Sequence, residues 1–121
     1  MLDKFTRAYI AAALWSTNDG STPLGGEPLD QNHDAADIAP GTMKLMERDC
    51  EAFQEYNKAY LAKAGDAEQN GHDFWLTRNG HGAGFWDRGY GKEVSDALCL
   101  QCKQYGEFDL EVGDDGLIHG R

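Results

Sequence analysis

The stretch Gly71-His-Asp-Phe-Trp-Leu-Thr-Arg-Asn-Gly-His-Gly-Ala-Gly-Phe-Trp-Asp-Arg-Gly-Tyr-Gly91 decides how the chain is read. It holds two of the three tryptophans and two of the four histidines. At its centre stands Asn79-Gly80, the strongest short-range signal for a two-residue type I′ turn, whose central residues both need φ > 0. The stretch therefore predicts a β-hairpin. Folding at Asn79-Gly80 sets Arg78 opposite His81, Thr77 opposite Gly82, Leu76 opposite Ala83, Trp75 opposite Gly84 and Phe74 opposite Phe85. Side chains alternate across a strand, so Phe74, Leu76, Ala83 and Phe85 share one face, assigned to the core. Trp75 and Trp86 fall on the other face beside bare glycines. A glycine across from a large ring leaves room for the indole to lie over the backbone, or for a ligand.

Outward from this stretch the chain reads as helices and a second hairpin. Residues 3–15 carry Phe5, Tyr9, Ile10, Ala13 and Leu14 at helical spacing among alanines. Residues 17–37 form a long polar connection with Pro23, Gly25, Gly26 and Pro28, pinned to the body by Leu24 and Leu29. Its His33, Asp30, Asp34 and Asp37 lack the spacing, central glycine and terminal glutamate of a calcium loop. Residues 38–64 read as one long helix, capped by Asp37 and with Pro40 in its first turn. Its stripe runs through Met43, Met46, Cys50, Phe53, Asn57, Tyr60 and Ala64, and Gly65 stands at C′. Residues 92–105 form a further helix, with Val94, Leu98, Cys102 and Tyr105 on one face and Gly106 at its end. Phe108, Leu110 and Val112 alternate with Asp109 and Glu111 as a strand; residues 113–116 turn, and 117–119 return. The order α-α-β-β-α-β-β predicts an α+β domain, about three helices packed on an antiparallel sheet of about four strands.

The length, 121 residues, fits one domain. The formal charge is −10, from 21 acidic and 11 basic residues. Affinity for phosphate backbones comes from basic groups, so this balance disfavours nucleic acid, including single strands stacked on the tryptophans. It suits a solubilising surface or docking onto a basic protein. No apolar run approaches the ~20 residues of a membrane span, and the N-terminus lacks the pattern of a signal peptide. Three cysteines, an odd count, argue against a secreted disulfide framework and for a cytoplasmic protein with reduced thiols.

Few residues form a constellation with chemistry. Cys99-Leu-Gln-Cys102 has C-x-x-C spacing, yet falls in mid-helix, where no dipole lowers a thiol pKa, and lacks two further zinc ligands. His81-Gly-Ala-Gly84 resembles the glycine-rich oxyanion segment of some lipases, but G-x-S-x-G and the P-loop are absent. No cofactor or metal is expected. The candidate binding residues are Trp75, Arg78, Asn79, His81, Gly82, Gly84, Trp86 and Arg88. Arg78 and His81 at the hairpin turn make a basic island that can hold a carboxylate or phosphate. Alternatively, Arg78 pairs with a neighbouring acidic side chain.

The run His72-Asp-Phe-Trp-Leu-Thr-Arg-Asn-Gly-His-Gly-Ala-Gly-Phe-Trp-Asp-Arg88 resembles one found in small acidic proteins encoded by bacteriophages and prophages. Phe5-Thr-Arg-Ala-Tyr-Ile-Ala-Ala-Ala-Leu-Trp15, the segment from Pro28-Leu-Asp30 to Asp37-Ile-Ala-Pro40, and Val112-Gly-Asp-Asp-Gly116 are similar too. The resemblance implies a phage origin and a role inside an infected or lysogenic bacterium. It carries no site residues, and Cys99 and Cys102 lie outside its pattern. Two functions follow as expectations. One is a noncatalytic accessory protein that binds a host or phage protein through its acidic surface and the Trp75/Trp86 face. The other is a small anionic-ligand or nucleotide-handling protein, an enzyme among its forms, using residues 78–84.

Overall fold

The computed structural model describes residues 2–21 and 26–121. Among these, five α-helices and one two-stranded antiparallel sheet replace the expected helices on a four-stranded sheet. The helices are α1 (Lys4–Ser16), α2 (Pro40–Tyr56), α3 (Lys58–Leu61), α4 (Ala67–Arg78) and α5 (Lys92–Tyr105). The strands are β1 (Leu110–Val112) and β2 (Ile118–Gly120). Short 3₁₀ turns occupy Leu29–Gln31, Ala35–Asp37 and Phe85–Asp87.

The first strand of the expected hairpin is the second half of α4. Local chemistry explains the correction. Asp66 caps the helix, accepting from the Gln69 backbone N–H at 2.9 Å. Glu68 lies in the first turn and Arg78 in the last, each matching the helix dipole. Asn79-Gly80 ends the helix instead of reversing a strand. Gly80 adopts φ 70° while Asn79 stays at φ −98°, so only one residue of the pair has the left-handed backbone. The Gly80 N–H donates to Thr77 O at 3.2 Å and the His81 N–H to Leu76 O at 3.0 Å. These two bonds make a Schellman cap, which needs the same glycine that a type I′ turn needs.

The helical period of α4 is hidden because the helix is buried almost all round. Asn70, Gly71, Asp73, Phe74, Trp75, Leu76 and Arg78 are all buried. Its closest neighbour is α1, which Asp3 caps from the Thr6 N–H at 2.8 Å. A Cβ on Gly71 would sit 2.0 Å from Phe5 O, so the missing side chain lets the two backbones touch. Phe53 of α2 stacks on Phe74 with centroids 4.0 Å apart, and Tyr9 meets Trp75 edge-on at 5.3 Å. Phe5, Phe85, Met46, Leu98, Cys50 and Cys102 complete this part of the core.

Other elements match their expected types. Lys4–Ser16 and Lys92–Tyr105 are helical, with Phe5, Tyr9, Ile10, Ala13, Leu14, Val94, Leu98 and Cys102 buried and Gly106 at φ 72° after α5. The long helix expected over 38–64 breaks at Asn57, the polar residue in its stripe. Asn57 is buried, and its side-chain amide donates to Phe53 O at 3.0 Å. Asp37 belongs to a 3₁₀ turn, so Ala39 precedes α2 and Pro40 takes its first position. Leu29 is buried and pins the 17–37 connection, where Asp19 N donates to Glu27 O at 2.7 Å and Leu29 N to Thr17 O at 2.8 Å. Pro23, Leu24 and Gly25 lie outside the described residues. The C-terminal hairpin pairs Leu110 with Gly120, Glu111 with His119 and Val112 with Ile118. Thr42 Oγ1 accepts from Gly120 N at 3.0 Å, which fastens β2 to the start of α2.

Candidate functional site

With the 74–86 hairpin gone, its residues part company. Trp75 is buried and its indole N–H donates to Ser16 Oγ at 2.7 Å. Trp86, in the 3₁₀ turn, is exposed, so the two indoles do not share a face. Asn79 closes α4: its amide donates to Trp75 O at 3.0 Å, and its carbonyl accepts from Phe108 N at 2.8 Å. Gly84 lies tight against Thr77, where a Cβ would fall 2.3 Å from Oγ1. Gly82 is exposed and His81 half-buried.

Arg78 does not form an anion-binding tip. Its side chain is 3% exposed. Nε donates to Gly106 O at 2.8 Å and Nη2 to Tyr105 O at 3.0 Å. Nη1 donates to Tyr9 Oη and to Asp49 Oδ2, both at 3.0 Å. The guanidinium carbon also lies 5.3 Å from the Phe108 ring centroid and 5.6 Å from those of Phe74 and Tyr105. Arg78 thus joins α4 to α1, α2 and the carbonyl end of α5. Burial pushes the Tyr9 hydroxyl pKa far up against the opposing pull of Arg78, so that hydroxyl stays protonated.

Arg88 is placed differently. The carboxylate of Asp73, fully buried on α4, accepts from Arg88 Nε at 3.1 Å and from Nη2 at 2.9 Å. Gln69 Nε2 donates to the same carboxylate at 3.0 Å. The bond to Asp73 is the main cause of a raised Arg88 pKa. This two-pronged hold fixes the guanidinium plane and leaves Nη1 outside it. Arg88 then forms one wall of a groove of about 610 Å³.

The groove runs between the outer faces of α1 and α4. Lys4, Arg7, Ala8 and Ala11 line it from α1, and Glu68, Gln69 and His72 from α4. Two alanines on the α1 side keep the groove open between long polar side chains. Among the described residues, no ion pair within 4.0 Å involves Lys4 or Arg7, whereas Arg78, Arg88 and Lys92 are paired. Trp15, one turn beyond Ala11, is exposed and meets the His72 ring with centroids 6.0 Å apart. His72 Nδ1 is buried without a hydrogen-bond partner, 3.6 Å from Asp73 Oδ1. Arg88 is paired with Asp73 and lies 3.7 Å from Asp87, and Glu68 stands in the same lining, so among the described residues Lys4 and Arg7 are the groove's unpaired cations.

Comparison with protein-family models, curated proteins and solved structures returned no match. The site therefore rests on its own geometry.

Other polar clusters fasten the fold. Asp34 and Asp37 cap the Ala35–Asp37 turn, and His33 lies 3.2 Å from Asp37 Oδ2 and 3.6 Å from Asp19 Oδ2. Among the described residues, no three His, Cys, Asp or Glu side chains are placed to share a metal ion. Burial pushes the Cys50 and Cys102 thiols far up, and raises Cys99 as well. That shift opposes thiolate formation. No helix among the described residues is long and apolar enough to cross a membrane.

Of the expected site residues, only Arg88 reaches the groove. Lys4, Arg7, Ala8, Ala11 and Trp15 were missed, although they form the complement of the buried α1 stripe at helical spacing. That signal was available in residues 4–15. The opposing wall was not, because it depends on α4 being a helix.

Proposed function

We propose that the protein works by binding, and that the α1–α4 groove takes an anionic group. The observation that supports this is that Lys4, Arg7 and Arg88 line one groove with Ala8 and Ala11, against a single acidic residue, Glu68, with Arg88 held by a buried carboxylate. A guanidinium already oriented loses less freedom when it engages a carboxylate or phosphate. The acidic remainder of the surface repels polyanions at long range. Screening limits that repulsion to ~8 Å at physiological salt, so a small anion is governed by the local cations. The groove takes over the anion-binding role that the sequence assigned to residues 78–84. Inorganic phosphate should raise the melting temperature at constant ionic strength relative to chloride. Lys4→Gln with Arg7→Gln should remove that gain. Equal stabilisation by chloride and phosphate would count against the groove.

A second reading concerns a partner protein. Glu107, Asp109, Glu111, Asp114 and Asp115 are exposed within nine residues that contain no lysine or arginine. This edge suits docking onto a basic host or phage protein, in keeping with a noncatalytic accessory role in an infected or lysogenic bacterium. Retention of a partner at low salt, lost on Asp109→Lys with Glu111→Lys, is the expected result. A partner retained equally by that variant would place the contact elsewhere.

A further inference from the structure

We propose that the ligand of the groove is a nucleoside mono- or diphosphate, its phosphate held by Lys4, Arg7 and Arg88 and its base laid on Trp15. The proposal rests on the anion-binding reading above and names the class of anion. Two features carry it further than charge alone. First, an exposed indole stands beside the groove. Trp15 is 56% exposed, lies one turn beyond Ala11 on α1, and meets the ring of His72, which lines the groove. The His72 ring lies beside the indole, with centroids 6.0 Å apart and planes inclined by 33°. A base can stack on an indole regardless of its identity, since every base has a π face.

Second, the spacing fits. Arg7 and Trp15 are eight residues apart on one helix, which is about 12 Å along its axis. A nucleotide spans a comparable length from its phosphates to the far edge of its base. The groove volume of about 610 Å³ lies in the range of small-molecule sites. Ala8 and Ala11, between the cations and the indole, leave room for the sugar. A longer strand meets the acidic body beyond the groove, so a single nucleotide is favoured over a polymer.

The test is titration of the full chain with AMP, ADP, adenosine and inorganic phosphate, read by calorimetry and by the indole N–H resonance of Trp15. That resonance is assigned from its loss in Trp15→Phe. AMP should bind about tenfold tighter than phosphate, the increment of one base stacked on an aromatic ring. AMP and ADP should shift the Trp15 resonance and phosphate should not. Trp15→Leu should lower AMP affinity to that of phosphate while leaving phosphate affinity unchanged. Arg7→Gln should weaken both. Equal affinity for AMP and phosphate overturns the nucleotide assignment and leaves the anion site standing. Absence of binding by every probe overturns both. Adenosine binding as tightly as AMP, with no effect of Arg7→Gln, also overturns both, because the cations then do nothing. Trp15 and Arg7 are exposed surface positions, so each variant is expected to fold, and its circular dichroism spectrum checks this.

Discussion

Replacing Arg78 by alanine separates the two roles a cation at this position can have. An exposed arginine at a hairpin tip would contribute ~0–1 kcal/mol to stability. The buried arginine in the structure serves four acceptors at once. Its removal leaves the Asp49 carboxylate, 15% exposed, with only the exposed Arg48 side chain at 3.8 Å. It also strips a donor from Tyr9 Oη and from the Tyr105 and Gly106 carbonyls at the end of α5. Breaking a buried ion pair by deleting one partner costs about 3–5 kcal/mol. Domains of this size lose about 3–6 °C per kcal/mol, so the melting temperature should fall by about 10–30 °C. Total stabilities of about 5–15 kcal/mol make that a large share.

Urea unfolding at pH 7, followed by far-UV circular dichroism, measures the loss directly. Arg78→Lys should be intermediate, because an ammonium keeps the charge but cannot reach Tyr9, Asp49 and two carbonyls with one rigid fork. Arg78→Met combined with Asp49→Leu should recover part of the loss, since no buried charge is then left alone. An Arg78→Ala protein within ~1 kcal/mol of the parent would refute the buried network and return Arg78 to the surface.

Three further outcomes follow from the same structure. Gly71→Ala should destabilise by about 1–3 kcal/mol or more, because its Cβ meets Phe5 O at 2.0 Å; a neutral effect in urea unfolding would mean α1 and α4 do not touch there. Burial works to raise the Asp3 pKa, but the bonds from Thr6, with Gln54 and Arg7, hold it below its ordinary value. A depressed folded-state pKa contributes stability that is present above the unfolded pKa of about 3.9 and lost as pH falls through the folded value. Asp3→Ala should therefore cost about 1 kcal/mol at pH 7 and progressively less below pH ~4, measured by urea unfolding across that range. Finally, iodoacetamide should label only Cys99 in the native protein, and slowly; peptide mapping that finds Cys50 or Cys102 labelled at the same rate would contradict their burial.

The helices that face the core with one clear stripe were legible from sequence. Phe5, Tyr9, Ile10, Ala13 and Leu14 mark α1, and Val94, Leu98 and Cys102 mark α5, because each helix has a wet side for contrast. The terminal strands were legible for the same reason: Phe108 and Leu110 point inward while Asp109 and Glu111 are exposed. α4 was misread because it has almost no wet side. Asp73 and Arg78 are buried along with Phe74, so polarity no longer reports direction. Asn79-Gly80 added a second ambiguity. A Schellman cap and a hairpin turn both want glycine at positive φ, and the choice between them depends on what precedes the pair. The Asp66 cap, thirteen residues before Asn79, is the local signal for a helix. The apolar run Phe74-Trp75-Leu76 fits a strand and a buried helix equally, and Gly71, a weak helix former, is there for the contact with α1.

The same burial explains where a working surface can lie on α4. Among its residues, the sides facing α1, α2 and α5 are occupied, and the side chains of Glu68, Gln69 and His72 are left facing outward as the groove wall. Two arginines show how one helix serves both core and surface. Arg78 turns into the protein and ends on acceptors from three other segments, so none of its charge is offered to a ligand. Asp73, one turn earlier, turns in and draws Arg88 onto the groove from a loop that follows the helix. Asp73→Asn should therefore do what Arg78→Ala should not. It should loosen Arg88 and weaken phosphate binding in the groove by more than its effect on stability accounts for, because a neutral amide cannot hold both prongs of the guanidinium. Arg88→Lys on the Asp73 background separates the two effects, since it keeps the cation and removes the fork. If phosphate affinity is the same in the parent, in Asp73→Asn and in Arg88→Lys, the buried carboxylate serves only the fold, and the groove depends on Lys4 and Arg7 alone.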